Sequence, residues 1–228
     1  MRRPRKGTAL DDAALATAWQ AASLLLGYPD AALLDRRPLL RRAVAALPPP
    51  VAGPLGRFLD HLDATPEDEL ATEYVATFDH RKRGCLYLTY YAYGDTRKRG
   101  LALLRFKQVY AAAGLRLDDS ELPDHLAVVL EFAATGDPRE GRRLLLEHRA
   151  GLELLRLALA DSRSPWAAVL EAVSATLPPL AGDDRDAVAR LAAEGPPEEE
   201  VGLAPYGADA AATGPGPVFV TDRLEVRS

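Results

Sequence analysis

The sequence predicts an all-α fold, a single helical bundle, on three observations. Leucine, alanine and arginine dominate, valine is sparse, and there is no isoleucine at all; straight-chain side chains lose little rotamer freedom in a helix, whereas β-branched ones lose more. Apolar residues recur at three- and four-residue spacing over most of positions 11–194. Glycine, proline and acidic caps punctuate that spacing. With 228 residues and 48% of them apolar, the chain can bury a sizeable core as one large domain or two small ones. The organisation expected is a disordered basic tail over 1–10, one helical domain over 11–194, and a largely disordered Pro/Gly/acidic tail over 195–228.

Taken in order, Asp11 or Asp12 caps a first helix with Leu15, Trp19, Ala22 and Leu26 on one face, and Gly27-Tyr28-Pro29 stops it. A second helix fits Ala31 to Leu47, with Leu33, Leu40, Val44 and Leu47 inward and Pro48-Pro49-Pro50 as its stop. A third fits Leu55 to Leu62, with Phe58, Leu59 and Leu62 inward and His61 as a surface residue. Thr65-Pro66-Glu67-Asp68 starts a fourth with a cap, a proline in the first turn and acids at the positive end of the dipole, and Leu70, Tyr74 and Phe78 follow at a spacing of four.

Residues 86–93 have strand propensity, but no partner strand is evident, and a helical turn or two is preferred. From Arg97 to Ala113 a helix with two apolar faces is expected: Ala102, Leu103, Phe106, Val109, Tyr110 and Ala113 on one, Leu101 and Leu104 on the other. Such a helix belongs in the middle of a bundle. Gly114 ends it. A helix from Glu121 to Thr135 carries Pro123 in its first turn, Leu122, Leu126, Val129 and Phe132 inward, and His125 half inward. Further helices fit Glu140 to His148, Leu152 to Leu159, Trp166 to Leu177 and Asp184 to Glu194.

Several function classes find no support. The four histidines are not at metal-ligand spacing, and with one cysteine and no HExxH or CxxC no metal site or other cofactor is expected. No Walker lysine loop, GxGxxG or GxSxG occurs, and Asp79-His80 and Asp124-His125 are neighbours that point apart on a helix. No catalytic residue is assigned. A net charge of -5 and a pI near 5.5 argue against nucleic-acid binding, and no apolar run approaches membrane-spanning length. Cys85 can be a reactive thiol beside cations or a small buried hydrophobe, and the second is favoured.

One stretch departs from the rest. Between Arg81 and Lys107 stand eight Lys/Arg and a single acid, Asp95, together with Tyr87, Tyr90, Tyr91 and Tyr93. Tyrosine and arginine dominate binding hot spots, so the segment reads as a surface for another protein chain. An RNA-binding helical module is a rival reading, which the acidic remainder of the chain opposes.

The run CLYLTYYAYGDTRKRG from Cys85 to Gly100, the LPDHL run from Leu122 to Leu126, and ASLLLGYPD from Ala22 to Asp30 resemble the NarJ family of nitrate reductase molybdenum cofactor assembly chaperones, over roughly Asp11 to Leu177. The resemblance implies an all-helical, cytoplasmic chaperone of the redox-enzyme maturation type. It implies as partner the apo catalytic subunit of the membrane-bound respiratory nitrate reductase, including its N-terminal segment, held until molybdenum cofactor insertion. A permanent structural subunit of the reductase is the alternative. A monomer or weak homodimer without direct membrane insertion is expected. A leader-type peptide requires an apolar groove with polar rims. Tyr74, Phe78, Tyr87, Tyr90 and Tyr91 are candidates for its lining. Asp79, Asp95, Asp124 and His125 are candidates to read peptide cations, and Arg97, Arg99 and Arg105 to clamp carboxylates or a helix end. Alanine at Tyr90 or Asp124 is expected to weaken peptide binding without unfolding the bundle.

Overall fold

In the computed structural model, residues 10–79, 84–118 and 121–195 are described, with the backbone of 224–226. The basic turn at Arg81, His80 and the apolar island at Pro217–Val220 lie outside these residues. Twelve α-helices account for most of what is described. Helix α1 (Asp12–Leu25) is capped by Asp11, whose carboxylate accepts from Ala14 N at 2.8 Å. It is the central helix: Ala18, Trp19, Ala21, Ala22 and Leu25 are all buried, and its neighbours are drawn from both halves of the chain. Two hydrogen bonds tie it inward, Trp19 Nε1 to Thr176 Oγ1 at 2.9 Å and Ser23 Oγ to the Ala127 carbonyl at 2.7 Å.

The expected helix from Ala31 to Leu47 is two helices, α2 (Ala31–Asp35) and α3 (Arg37–Ala45). Pro38 has no N–H for the Leu34 carbonyl, and Arg37 Nε takes that carbonyl instead at 2.8 Å. The prolines read as a stop begin the next helix. Helix α4 (Pro49–Ala64) starts six residues earlier than expected, because a proline in the first turn lacks only an N–H that the helix leaves unpaired anyway. Helix α4 lies along α11 (Ala167–Thr176).

Helix α5 (Glu67–Phe78) has acids in its first turn as expected, but no side-chain cap. The Thr65 hydroxyl lies against His61 Nδ1 at 3.3 Å instead. His61 is not a surface residue. It is half-buried, its Nε2 lies 2.7 Å from Glu73, and its ring stands beside Phe58 and Trp166. Helices α6 (Leu88–Tyr93) and α7 (Arg97–Ala112) follow. Helix α7 is peripheral, not central. Phe106 and Tyr110 are buried, whereas Leu101 is 74% and Leu104 51% exposed. The face carrying Leu101 and Leu104 is left open to solvent.

After α7, β1 (Leu115–Leu117) pairs antiparallel with β2 (Leu224–Val226), a short ribbon outside the helical pattern read from the sequence. Helix α8 (Leu126–Glu131) starts five residues later than expected and passes into a π-helical turn over Phe132–Gly136. In place of the first turn expected of the helix stands a separate tight turn, with His125 N donating to the Leu122 carbonyl at 3.1 Å. It is tied to the preceding segment where Leu126 N donates to the Leu86 carbonyl at 2.8 Å and Leu88 N to the Asp124 carbonyl at 3.0 Å. Leu126, Val129 and Phe132 are buried as expected, but Leu122 is 40% exposed. Helix α9 (Pro138–Glu147) is capped by Asp137, and α10 (Arg149–Asp161), α11 and α12 (Gly182–Glu194) complete the bundle, with α12 packed on α10. No described helix is long and apolar enough to cross a membrane.

Candidate functional site

A cleft of about 750 Å³ opens between α5, the segment 84–99 and the turn before α8. Its first wall is aromatic. Tyr74 and Phe78 are four apart on α5 and pack at 4.8 Å between ring centroids, and Tyr28 stands edge-on to Tyr74 at 5.4 Å. Trp166 backs both α5 rings at 5.5–5.7 Å, and Tyr74 donates its hydroxyl to the Leu26 carbonyl at 3.2 Å. The half-buried α5 aromatics therefore stand in fixed positions with one side open.

The second wall depends on glycine at two points. A Cβ on Gly84 would fall on the Thr77 carbonyl, so only glycine lets the returning chain touch α5 here. Gly94 ends α6 at φ 56°, a left-handed conformation that suits glycine. Between them Cys85, Leu86, Tyr87 and Tyr90 face the cleft. Tyr87 forms an isolated antiparallel bridge with His125, and their rings meet edge-on at 5.3 Å. His125 accepts from Ala127 N through Nδ1 at 3.3 Å and so caps α8.

Beneath this wall runs a hydrogen-bonded chain. Asp124, wholly buried, accepts from Thr89 N at 3.1 Å and from Thr89 Oγ1 at 2.5 Å. Arg99 Nε donates to Thr89 Oγ1 at 3.2 Å, and its Nη1 to Asp95 at 3.1 Å. The guanidinium carbon lies 5.5 Å from the Tyr87 ring centroid, within cation–π range. Tyr87 donates to Glu121 Oε1 at 3.0 Å. Burial pushes the Asp124 carboxyl above the usual range, against the opposing pull of the Thr89 bonds and Arg99.

Of the residues proposed from sequence, Tyr74, Phe78, Asp79, Tyr87, Tyr90, Asp95, Arg99 and His125 line the cleft. Four do not. Tyr91 is buried, with its hydroxyl donated to the Cys85 carbonyl at 2.8 Å. Asp124 supports the floor and does not reach the opening. Arg97 stands exposed at the start of α7, outside the lining. Arg105 borders a separate hollow of about 250 Å³ and pairs with Glu147 at 2.9 Å. The spacing that placed Tyr87, Tyr90 and Tyr91 on one helical face fails because Tyr87 precedes α6. Sequence reasoning passed over Tyr28, Val75, Cys85, Leu86 and Glu121. Tyr28 lies in the GYPD run and Glu121 directly before LPDHL; both served in the reading only as helix punctuation.

Among the described residues, the rim is more acidic than basic: Asp79 and Asp95 are exposed and Glu121 lies inside, against one arginine already engaged by Asp95, Thr89 and the Tyr87 ring. Aromatic faces with carboxylates beside them suit a ligand that is both apolar and cationic. Cys85 is no reactive thiol: burial pushes it from 9.0 up to about 11. A folded-state pKa above the unfolded one contributes stability present below pH 9.0 and lost as pH rises through about 11. Burial also raises the phenols of Tyr87, Tyr91 and Tyr110, which adds loss above pH 10. The urea midpoint should therefore fall from about pH 9 upward. Cys85→Ser should flatten the first part of that decline; an unchanged profile would show that the thiol does not contribute.

The family described as nitrate reductase delta subunit matches residues 44–172. The nitrate reductase-like protein NarX of Mycobacterium tuberculosis is 44% identical over 158 residues, 69% of this chain and 24% of NarX. This chain thus spans about a quarter of the length of that relative. The probable nitrate reductase molybdenum cofactor assembly chaperone NarJ of Bacillus subtilis is 31% identical over 163 residues, 70% of this chain and 87% of its own length. NarJ of Escherichia coli, named as the same kind of chaperone, is 34% identical over 152 residues, 65% of this chain and 64% of its own.

Proposed function

The chain belongs to the nitrate reductase delta subunit family, and from that premise we propose that it is an assembly chaperone, not an enzyme, that serves molybdenum cofactor insertion into a nitrate reductase. Its client is the apo catalytic subunit of a respiratory enzyme, met in the cytoplasm, and the cleft takes that subunit's N-terminal segment. The observation that carries this reading is the cleft itself: five aromatic side chains, Tyr28, Tyr74, Phe78, Tyr87 and Tyr90, beside Asp79, Asp95 and Glu121. An amphipathic peptide helix with basic residues presents both of the required chemistries. The names of the NarJ relatives support the molybdenum cofactor step.

Calorimetry with a synthetic peptide of the cognate catalytic subunit's N-terminus tests the cleft. Tyr90 is half-buried at the opening, so alanine there should leave the fold intact. Loss of this aromatic contact is expected to cost about 1–2 kcal/mol, roughly tenfold in Kd. Wild-type affinity in Tyr90→Ala would remove this wall from the site. Capture of the apo subunit from nitrate-respiring cells only when cofactor synthesis is blocked tests the chaperone role. Recovery at fixed ratio with the mature enzyme would instead make the protein a permanent subunit.

A further inference from the structure

Helix α7 has two unlike faces. Arg99, Phe106 and Tyr110 turn inward to the cleft and the core. The outer face carries Leu101 and Leu104, 74% and 51% exposed. Around them stand Arg97, Lys98, Arg105 and Lys107, all exposed. The 16 residues of α7 hold five cations and no acid, in a chain of net charge -5. Glu147 of α9 reaches the same helix, pairing with Arg105 at 2.9 Å and, within α9, with Arg143 at 2.8 Å.

We propose that this face seats the protein on an anionic lipid bilayer, as a peripheral contact made independently of the cleft. The leucines enter the headgroup–acyl boundary, and the arginines and lysines meet lipid phosphates. Charge and shape select this occupant. A second copy of the chain would bring Arg97, Lys98 and Arg105 against the same residues, because a two-fold contact is self-complementary. Nucleic acid would satisfy the cations but offers the leucines little apolar medium. A partner helix requires an apolar groove. The hollow bordering this face lies around Val109, Ala112 and Ala113, rimmed by Asp137 and Glu140, and neither Leu101 nor Leu104 lines it. Two exposed leucines ringed by cations on a convex helix match an interfacial helix that rests on a membrane without crossing it.

The full chain should co-sediment at low salt with vesicles of phosphatidylglycerol and phosphatidylcholine, and far less with phosphatidylcholine alone. The double variant Leu101→Asp/Leu104→Asp should lower the partition by about tenfold or more, since two apolar anchors become like-charged with the surface. Lys98→Glu/Lys107→Glu should lower it similarly and provides a second reading if the leucine variant fails to fold. Calorimetry with the cleft peptide in the same variants should show unchanged affinity, which separates this face from the cleft and checks the fold. The proposal is overturned by no sedimentation with anionic vesicles, or by sedimentation that neither double variant reduces. It is equally overturned by a wild-type dimer that the leucine variant dissolves, or by tighter binding to polyuridylate than to vesicles.

Discussion

Glu153→Ala is expected to destabilise the protein by about 3–5 kcal/mol, the range for breaking a buried ion pair from one side. The carboxylate is 1% exposed and lies between two guanidiniums. Oε1 accepts from Ser174 Oγ at 2.6 Å and pairs with Arg149 Nη2 at 2.9 Å, and Oε2 takes Arg156 Nε at 2.7 Å. Arg149 is itself only 5% exposed, and its Nε and Nη1 have no hydrogen-bond partner. Burial pulls the Arg149 pKa down, and Glu153 is the main influence holding it up. Removal of the carboxylate leaves a buried cation with one hydroxyl for company. Urea unfolding should show a lower midpoint with little change in slope. Glu153→Gln, which keeps an acceptor for Ser174, should recover part of the loss. A midpoint within about 1 kcal/mol of wild type for the alanine variant would place the triad among ion pairs of negligible worth.

Asp124→Ala should cost about 3 kcal/mol and also weaken peptide binding at the cleft, so the expectation that this position can be emptied without harm to the bundle is revised. The carboxylate satisfies Thr89 N at the start of α6 and orients the hydroxyl that receives Arg99. Without it, Arg99 keeps only Asp95 as an anionic partner, and Tyr87, which the guanidinium touches, loses its support. Asp124→Asn preserves an acceptor for Thr89 and isolates the role of charge. Because burial raises the Asp124 pKa, this group favours folding more as pH falls through the window between its ordinary value of 3.8 and the raised one. The asparagine variant should lack that slope. Equal damage from asparagine and alanine would show that charge, and not the acceptor, maintains the site.

The candidate site was legible to different degrees along the chain. Tyr74 and Phe78 could be paired from sequence because a spacing of four on a helix puts two rings together. Tyr87 and His125 could not, because their pairing is a bridge between segments thirty-eight positions apart and neither is inside a helix. Asp124 was expected near a helix N-terminus as a reader of peptide cations, yet it sits under Thr89 with no exposure. The difference arises from the backbone of 124–126, which pairs with 86–88 after a tight turn instead of lying inside a longer α8.

Composition, helical periodicity and punctuation were enough by themselves to determine an all-helical protein and the positions of most helices, and the motif runs were enough to determine its family. Those properties are local: side-chain entropy, spacing on one helix and capping act within a few residues. Tertiary structure alone decided that α1 and not α7 occupies the centre, that the proline run opens α4, and that the aromatic residues of α5 face Tyr87 and Tyr90 across a cleft. Each of these depends on which of several apolar faces finds a partner, and burial is a property of the assembled chain, which no single helix can specify.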